Sequence, residues 1–232
     1  MTFSGIEKTT LIDYPSKIAA TVFTYGCNFR CPFCHNPELV IEPCDEDYVI
    51  TEHYILDFLA LRKGKLDALV ITGGEPLLQG GIQSFIQKVK KLGYLVKVDT
   101  NGFYPGMILQ LIDSGLIDYW AMDVKNLESL YSKTAGVSVN VGNIRKSISN
   151  IMKSGIKYEF RTTVVPGLHD VESLRGIGEL IKGANKFYIQ NFRPGKTIDP
   201  AYRNKQSFTE RELRQFQKVI KPFVKSVEIR WD

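Results

Sequence analysis

Ala68-Leu69-Val70-Ile71-Thr72-Gly73-Gly74-Glu75-Pro76 is an apolar, β-branched run that ends abruptly in a polar turn. Its length and composition predict a buried strand, and the two glycines and the proline stop it. A few residues on, Ile82, Phe85, Ile86, Val89 and Leu92 fall on one helical face, and Gly93 follows as a stop. Strand, polar turn and amphipathic helix, in that order, make one unit of a parallel α/β sheet.

The unit repeats outward in both directions. Apolar runs predict strands at 18–24, 68–72, 94–99, 119–123, 157–165, 187–191 and 226–231. Helical periods lie between them. Pro105 opens one helix and Gly115 closes it; Ile144, Ile148 and Ile151 mark a second. Asp170 reads as the N-cap of a third, and Thr209 with Glu212 has capping-box spacing ahead of a fourth. The strands read as nearly all apolar, as in a sheet covered on both faces. This pattern fits a barrel and an open sheet equally well. No repeat or linker divides the chain, so residues 1–232 read as one domain, with a core at about 15–192 and a C-terminal helix and strand at about 208–231. Residues 193–207, rich in proline, glycine and charge, read as a long loop of the kind that often carries function.

The chain has 232 residues, 44% hydrophobic and 24% charged, an ordinary globular composition. Its formal net charge of +5 is a weak pointer to any nucleic acid. The longest apolar runs are strand-sized, which argues against a membrane span. Residues 1–11 lack a signal-peptide pattern, and a cytoplasmic location is expected. Three of the four cysteines fall between Cys27 and Cys34, unlike the spread of a secreted disulfide framework.

Parallel α/β folds gather their chemistry at the carboxyl ends of the strands. Here those ends read Gly26-Cys27, Gly73-Gly74-Glu75-Pro76, Asp99-Thr100-Asn101-Gly102, Asp123-Val124-Lys125 and Gln190-Asn191. Five polar ends on one rim predict a site. The first continues as Gly26-Cys27-Asn28-Phe29-Arg30-Cys31-Pro32-Phe33-Cys34-His35-Asn36, with spacing C-x3-C-x2-C. A 4Fe–4S cluster normally takes four cysteines, and three leave one iron open to a small molecule. Zinc held by Cys27, Cys31, Cys34 and His35 is the alternative that spacing leaves standing. Cys44 reads as an incidental thiol.

The loop, with Phe33 as its aromatic, resembles the radical S-adenosylmethionine (SAM) signature, and Gly73-Gly74-Glu75-Pro76 resembles that superfamily's next motif. Phe33-Cys34-His35-Asn36, Asp99-Thr100-Asn101-Gly102 and Asp123-Val124-Lys125 are similar to the glycyl-radical-enzyme activating family. Thr10-Leu11-Ile12-Asp13-Tyr14-Pro15 and the overall size look most like the anaerobic ribonucleoside-triphosphate reductase activating proteins. The resemblance implies a partial (β/α)6 barrel and a 4Fe–4S cluster on Cys27, Cys31 and Cys34. It further implies reductive cleavage of SAM and a glycyl radical made on a partner enzyme. Other partners, such as pyruvate formate-lyase, and a small-molecule or nucleic-acid substrate are the alternatives. With only Cys44 outside the loop, a second cluster is not expected, and electrons should come from flavodoxin or ferredoxin.

The individual residues then acquire expected roles. Gly73 and Gly74 allow close backbone approach to a ligand. Glu75 suits an ammonium, Phe33 an adenine ring beside the backbone of Cys34 and His35, and Lys125 a carboxylate. Asp99 and Asp123 repel unless a cation intervenes; the resemblance implies a monovalent cation there. Arg161, inside an apolar strand, must pair with a carboxylate of SAM or of the protein. Gln190 and Asn191 are candidates for the ribose or adenine. His53 and His169 read as structural.

Overall fold

The computed structural model describes residues 1–40 and 49–231; Cys44 lies outside them. The strands are β1 (Thr2–Thr10), β2 (Ala19–Thr24), β3 (Ile50–Thr51), β4 (Ala68–Gly73), β5 (Leu95–Thr100), β6 (Tyr119–Asp123), β7 (Lys157–Val164), β8 (Phe187–Asn191) and β9 (Val227–Arg230). The helices are α1 (Glu52–Leu61), α2 (Ile82–Lys91), α3 (Pro105–Asp113), α4 (Tyr131–Ala135), α5 (Val141–Lys153), α6 (Val171–Leu180) and α7 (Glu210–Ile220). All seven predicted strands and all the predicted helices are present. None of the helices among the described residues is long and apolar enough to cross a membrane.

The strands form one sheet in the order β3-β1-β2-β4-β5-β6-β7-β8-β9. From β2 through β9 the pairing is parallel. The sheet has edges at β3 and β9, so the barrel stays open, as a partial (β/α)6 barrel requires. The antiparallel strand β1 lies beside β2 and was not read from the sequence. Thr2-Phe3-Ser4-Gly5-Ile6-Glu7-Lys8-Thr9-Thr10 has a mixed, half-exposed pattern, typical of a strand near an edge.

The helices cover the outer face, where Phe85, Trp120, Phe160 and Phe187 are fully buried. Burying each such side chain stabilises the fold by roughly 1.5–3 kcal/mol. The caps hold as predicted: Asp170 accepts the Ser173 N–H, and Thr209 forms a full capping box with Glu212.

The inner face differs from expectation, because it carries charge. Alternate residues of a strand share a face, which puts Lys97 and Asp99, Tyr119 and Asp123, Glu159 and Arg161, and Gln190 and Arg230 inside. Lys97 and Glu159 are buried. Glu159 accepts from Tyr119 Oη at 2.9 Å and from Arg230 Nη2 at 2.7 Å. Lys97 Nζ donates to Asp13 O, fastening the β1–β2 connection beneath the barrel. These strands are therefore not uniformly apolar; their inward charges are buried in pairs.

Candidate active site

The cysteine loop leaves β2 at its carboxyl end and is held by backbone bonds on several sides. Arg30 N–H donates to Ala135 O at 2.8 Å, and Gly26 N–H to Leu39 O at 2.8 Å. The long loop after β8 also reaches it, through Ile198 N–H to Cys34 O at 3.2 Å and Asp199 N–H to Pro32 O at 2.9 Å. Phe29 anchors the loop in the core, edge-on to Phe103.

Cys27, Cys31 and Cys34 line one cavity of about 250 Å³ at the strand ends. Burial pushes the Cys31 thiol up to about 12 and raises Cys27 as well, whereas Lys125 pulls both the other way. A metal group binding here must therefore displace protons. The Cys27 sulfur accepts from Phe29 N–H at 3.4 Å and Asn101 Nδ2 at 3.8 Å.

The donor set separates the two metals that spacing left standing. Among the described residues, no three Cys, His, Asp or Glu side chains converge closely enough to hold one ion. The His35 ring is held by its Nδ1, which pairs with Lys196 O at 3.1 Å, and by stacking on Phe192. A zinc knot needs four donors within about 2.0–2.3 Å of one ion. Three thiols lining one cavity fit a cluster with one iron uncapped.

Of the other expected site residues, Phe33, His35, Gly73, Gly74, Glu75, Asp99, Asp123, Lys125 and Arg161 line the same cavity. Val124 does not. It is fully buried; its N–H donates to Arg161 O, and its carbonyl accepts from Thr162 Oγ1. Gln190 and Asn191 also lie outside the cavity and line a neighbouring groove instead. Asn191 spends its amide on the Phe208 backbone, donating at 2.8 Å and accepting at 3.1 Å.

The two glycines, which line the cavity, also serve the packing of the loop. A Cβ on Gly73 would overlap the backbone of Thr24, and one on Gly74 would overlap Gly26 O. They let β4 press against the root of the cysteine loop, where Gly74 N–H donates to Thr24 O and Glu75 N–H to Gly26 O. Glu75 is fully buried. Its Oε1 accepts from Thr100 Oγ1 at 2.7 Å and Leu77 N–H at 3.1 Å, and its Oε2 from Asn101 N–H at 2.7 Å. A carboxylate has about four lone-pair sites, so one on Oε2 remains. Burial lifts this carboxyl to about 7 despite those three donors.

Across the cavity the charges alternate. Lys97 Nζ lies 3.3 Å from Asp99 Oδ1; Arg161 Nη2 is 2.9 Å from Asp99 Oδ2, and its Nε is 2.5 Å from Asp123 Oδ1. Lys125 Nζ closes the row 2.9 Å from Asp123 Oδ2. Arg161 therefore pairs with the protein, and its guanidinium stands between the two acids. Burial alone would raise Asp123, but Arg161 and Lys125 outweigh it and hold it well below the usual carboxylate range. Burial would likewise lower Lys125; Asp123 outweighs it and keeps the ammonium protonated.

The sequence reading missed Thr100 and Asn101 as the clamp on Glu75. His169, expected to be structural, supports the site from behind: its Nδ1 accepts from Val165 N–H, so its Nε2 donates to Lys125 O at 2.8 Å. His53 is exposed on α1 beside Asp57.

Residues 21–179 match the family model of the radical SAM superfamily. A candidate glycyl-radical enzyme activating enzyme of Methanocaldococcus jannaschii is 36% identical over 98% of this chain and 95% of its own length. The pyruvate formate-lyase-activating enzyme of Clostridium pasteurianum is 26% identical over 84% of this chain and 82% of its own. The crystal structure of Streptococcus suis SuiB bound to S-adenosylmethionine superposes with a TM-score of 0.65 at 15% identity, covering 90% of this chain and 51% of that one. This chain spans about half the length of that protein, and the likeness shows the fold. The chain belongs to the radical SAM superfamily, in its glycyl-radical-enzyme activating family.

Proposed function

We propose that this chain makes a glycyl radical on anaerobic ribonucleoside-triphosphate reductase, with a 4Fe–4S cluster on Cys27, Cys31 and Cys34 and SAM beside it. The observation that carries the site assignment is the cavity itself. Three thiols of one loop share it with Glu75 and Lys125, an unspent acceptor and a held cation. Bound together, the cluster and SAM supply one-electron cleavage of the sulfonium and abstraction of a hydrogen atom from the partner's glycine Cα.

The chain's own residues bind and orient. Glu75 offers its remaining Oε2 lone pair to the methionine ammonium, while Thr100 and Asn101 fix the carboxylate's direction. Lys125 faces the methionine carboxylate, its backbone pinned by His169. Phe33, with the Cys34 and His35 backbone, borders the adenine. Val124, Gln190 and Asn191 take no part in SAM binding in this reading. Nor does a monovalent cation: Arg161, with Lys97 and Lys125, already neutralises Asp99 and Asp123, and an added ion would meet their charge. One cysteine, Cys44, stands outside the loop in this sequence. That is too few for a second cluster, so an external flavodoxin or ferredoxin delivers the electron.

The resemblance of residues 10–15 and the overall size favour the reductase as partner. The relative from Clostridium pasteurianum favours a second reading, pyruvate formate-lyase. Reconstituted protein mixed with SAM, a reductant and each candidate in turn separates them. A glycyl radical signal by electron paramagnetic resonance is expected with the reductase. A signal with pyruvate formate-lyase alone transfers the assignment, and none with either, from a cluster that cleaves SAM, overturns it.

A further inference from the structure

We propose that Arg193 and Arg230, in the groove beside the cysteine cavity, with Arg214 and Trp231 next to it at the sheet edge, form the docking surface for a mixed, net acidic face of the partner protein. The inference rests on the activase reading, which makes the substrate a polypeptide.

A groove of about 340 Å³ is lined by His35, Thr163, Gln190, Arg193 and Arg230, among others. His35 and Thr163 also line the cysteine cavity, so the groove continues from it. Its floor is the end of β8, and its far wall is β9, the open edge of the sheet. A partner that seats here has its reactive segment next to the three thiols.

Charge singles out this part of the chain. Residues 193–232 hold ten of the thirty Lys and Arg and five of the twenty-five Asp and Glu, so they carry the whole net charge of +5 and the rest is neutral. The guanidiniums are positioned but not saturated. Arg230 rests 3.8 Å over the Tyr188 ring and donates Nη2 to Glu159; Arg193 donates Nη2 to Trp231 O at 2.7 Å. Each guanidinium has five N–H donors, which leaves donors for incoming carboxylates. Gln190 adds an amide able to meet a peptide group.

Trp231 is 50% exposed, with Arg214 5.4 Å from its ring. Exposed tryptophan beside arginine is the composition of a protein-binding hot spot. A nucleic acid fits less well. The basic residues alternate with Glu210, Glu212 and Glu228, and Arg214 lies 3.3 Å from Glu210. That patchwork repels a continuous phosphate chain but matches a mixed protein face. The loop after β8 also binds the cysteine loop through Ile198 and Asp199. Docking therefore bears directly on the segment that holds the thiols.

The test uses the cluster-loaded chain and whichever glycyl radical enzyme it activates in the assay above. Partner affinity is measured for wild type, Arg193→Glu, Trp231→Ala and a remote control, Lys91→Glu on α2, at low salt and in about 0.3 M salt. Circular dichroism confirms that each variant is folded. The two surface variants should each bind about tenfold more weakly or worse, the control within about twofold, and salt should weaken wild type. Wild-type affinity in both surface variants overturns the docking surface while leaving the activase reading intact. So does tRNA binding that Arg193→Glu abolishes while partner binding persists. A wild-type chain that makes no radical on any partner fails the activase reading instead.

Discussion

The Asn101 backbone N–H donates to Glu75 Oε2 at 2.7 Å, joining the turn after β4 to the end of β5. With Thr100 and Leu77 it makes Glu75 a buried carboxylate clamped on three sides. Three donors do not offset the loss of water, and burial lifts the group from its usual 4.5 to about 7.

A pH dependence of stability follows. A carboxyl raised in the folded state stabilises fully below its unfolded value, and the contribution is lost as pH rises through the folded value. Between about pH 4.5 and 7 the unfolded chain releases this proton and the folded chain keeps it. In the metal-free protein, Glu75 should thus cost up to roughly 1.4 kcal/mol of stability per pH unit across that window. Glu75→Gln cannot ionise. Its stability relative to wild type should rise from pH 5 to pH 7 and then level off. Denaturant melts of both proteins at several pH values check this, and a difference independent of pH would mean that Glu75 is ionised throughout.

Arg161 supports a second prediction. Arg161→Ala removes the cation between Asp99 and Asp123 and leaves each acid with one lysine, Lys97 or Lys125. Breaking a buried ion pair from one side typically costs about 3–5 kcal/mol, and the two carboxylates then repel across the gap. The variant should melt well below wild type and bind SAM at least about tenfold more weakly. Arg161→Lys keeps the charge but lacks the planar fork that reaches both acids, and should fall between. Because the guanidinium already bridges the acids, wild-type SAM affinity should be equal in potassium and choline chloride. Arg161→Ala should gain a potassium requirement. Equilibrium dialysis with labelled SAM measures all of these, and a potassium requirement in wild type would contradict the bridge.

Much of the fold is legible in the sequence because parallel strands buried on both faces leave long apolar runs, and Gly93, Gly115 and Pro222 punctuate the helices. Strand β1 is not, because a half-exposed strand one place in from the edge, such as Thr2–Thr10, has no such run. The cysteine loop and the rim acids are legible as spacing and position. Their partnerships are not. That Arg161 meets Asp99 and Asp123 depends on the register of three strands, Asp99 opposite Ala121 and Asp123 opposite Arg161. That Gly73 and Gly74 also press against Thr24 and Gly26 shows only when the neighbouring chain is in place. Val124 and Asn191 stand beside site residues in sequence, yet one turns into the core and the other caps a loop.

The cysteines give the sharpest separation of roles. Cys27, Cys31 and Cys34 each line the cavity, and three ligands are the minimum that leaves a cluster one open iron. Losing any one exposes a second iron and loosens the cluster. Cys27→Ala, Cys31→Ala and Cys34→Ala should therefore each lose most of the bound iron and sulfide after anaerobic reconstitution, together with 5′-deoxyadenosine formation. Cys44→Ala should keep four irons per chain, as expected for one such cluster, and full SAM cleavage. Reconstitution of wild type with zinc in place of iron adds an independent check. Four donors converging on one ion would bind zinc stoichiometrically, whereas a trio of thiols with no converging fourth donor among the described residues should bind it weakly. Tight, stoichiometric zinc that is lost in His35→Ala would restore the zinc knot and remove the cluster from this loop.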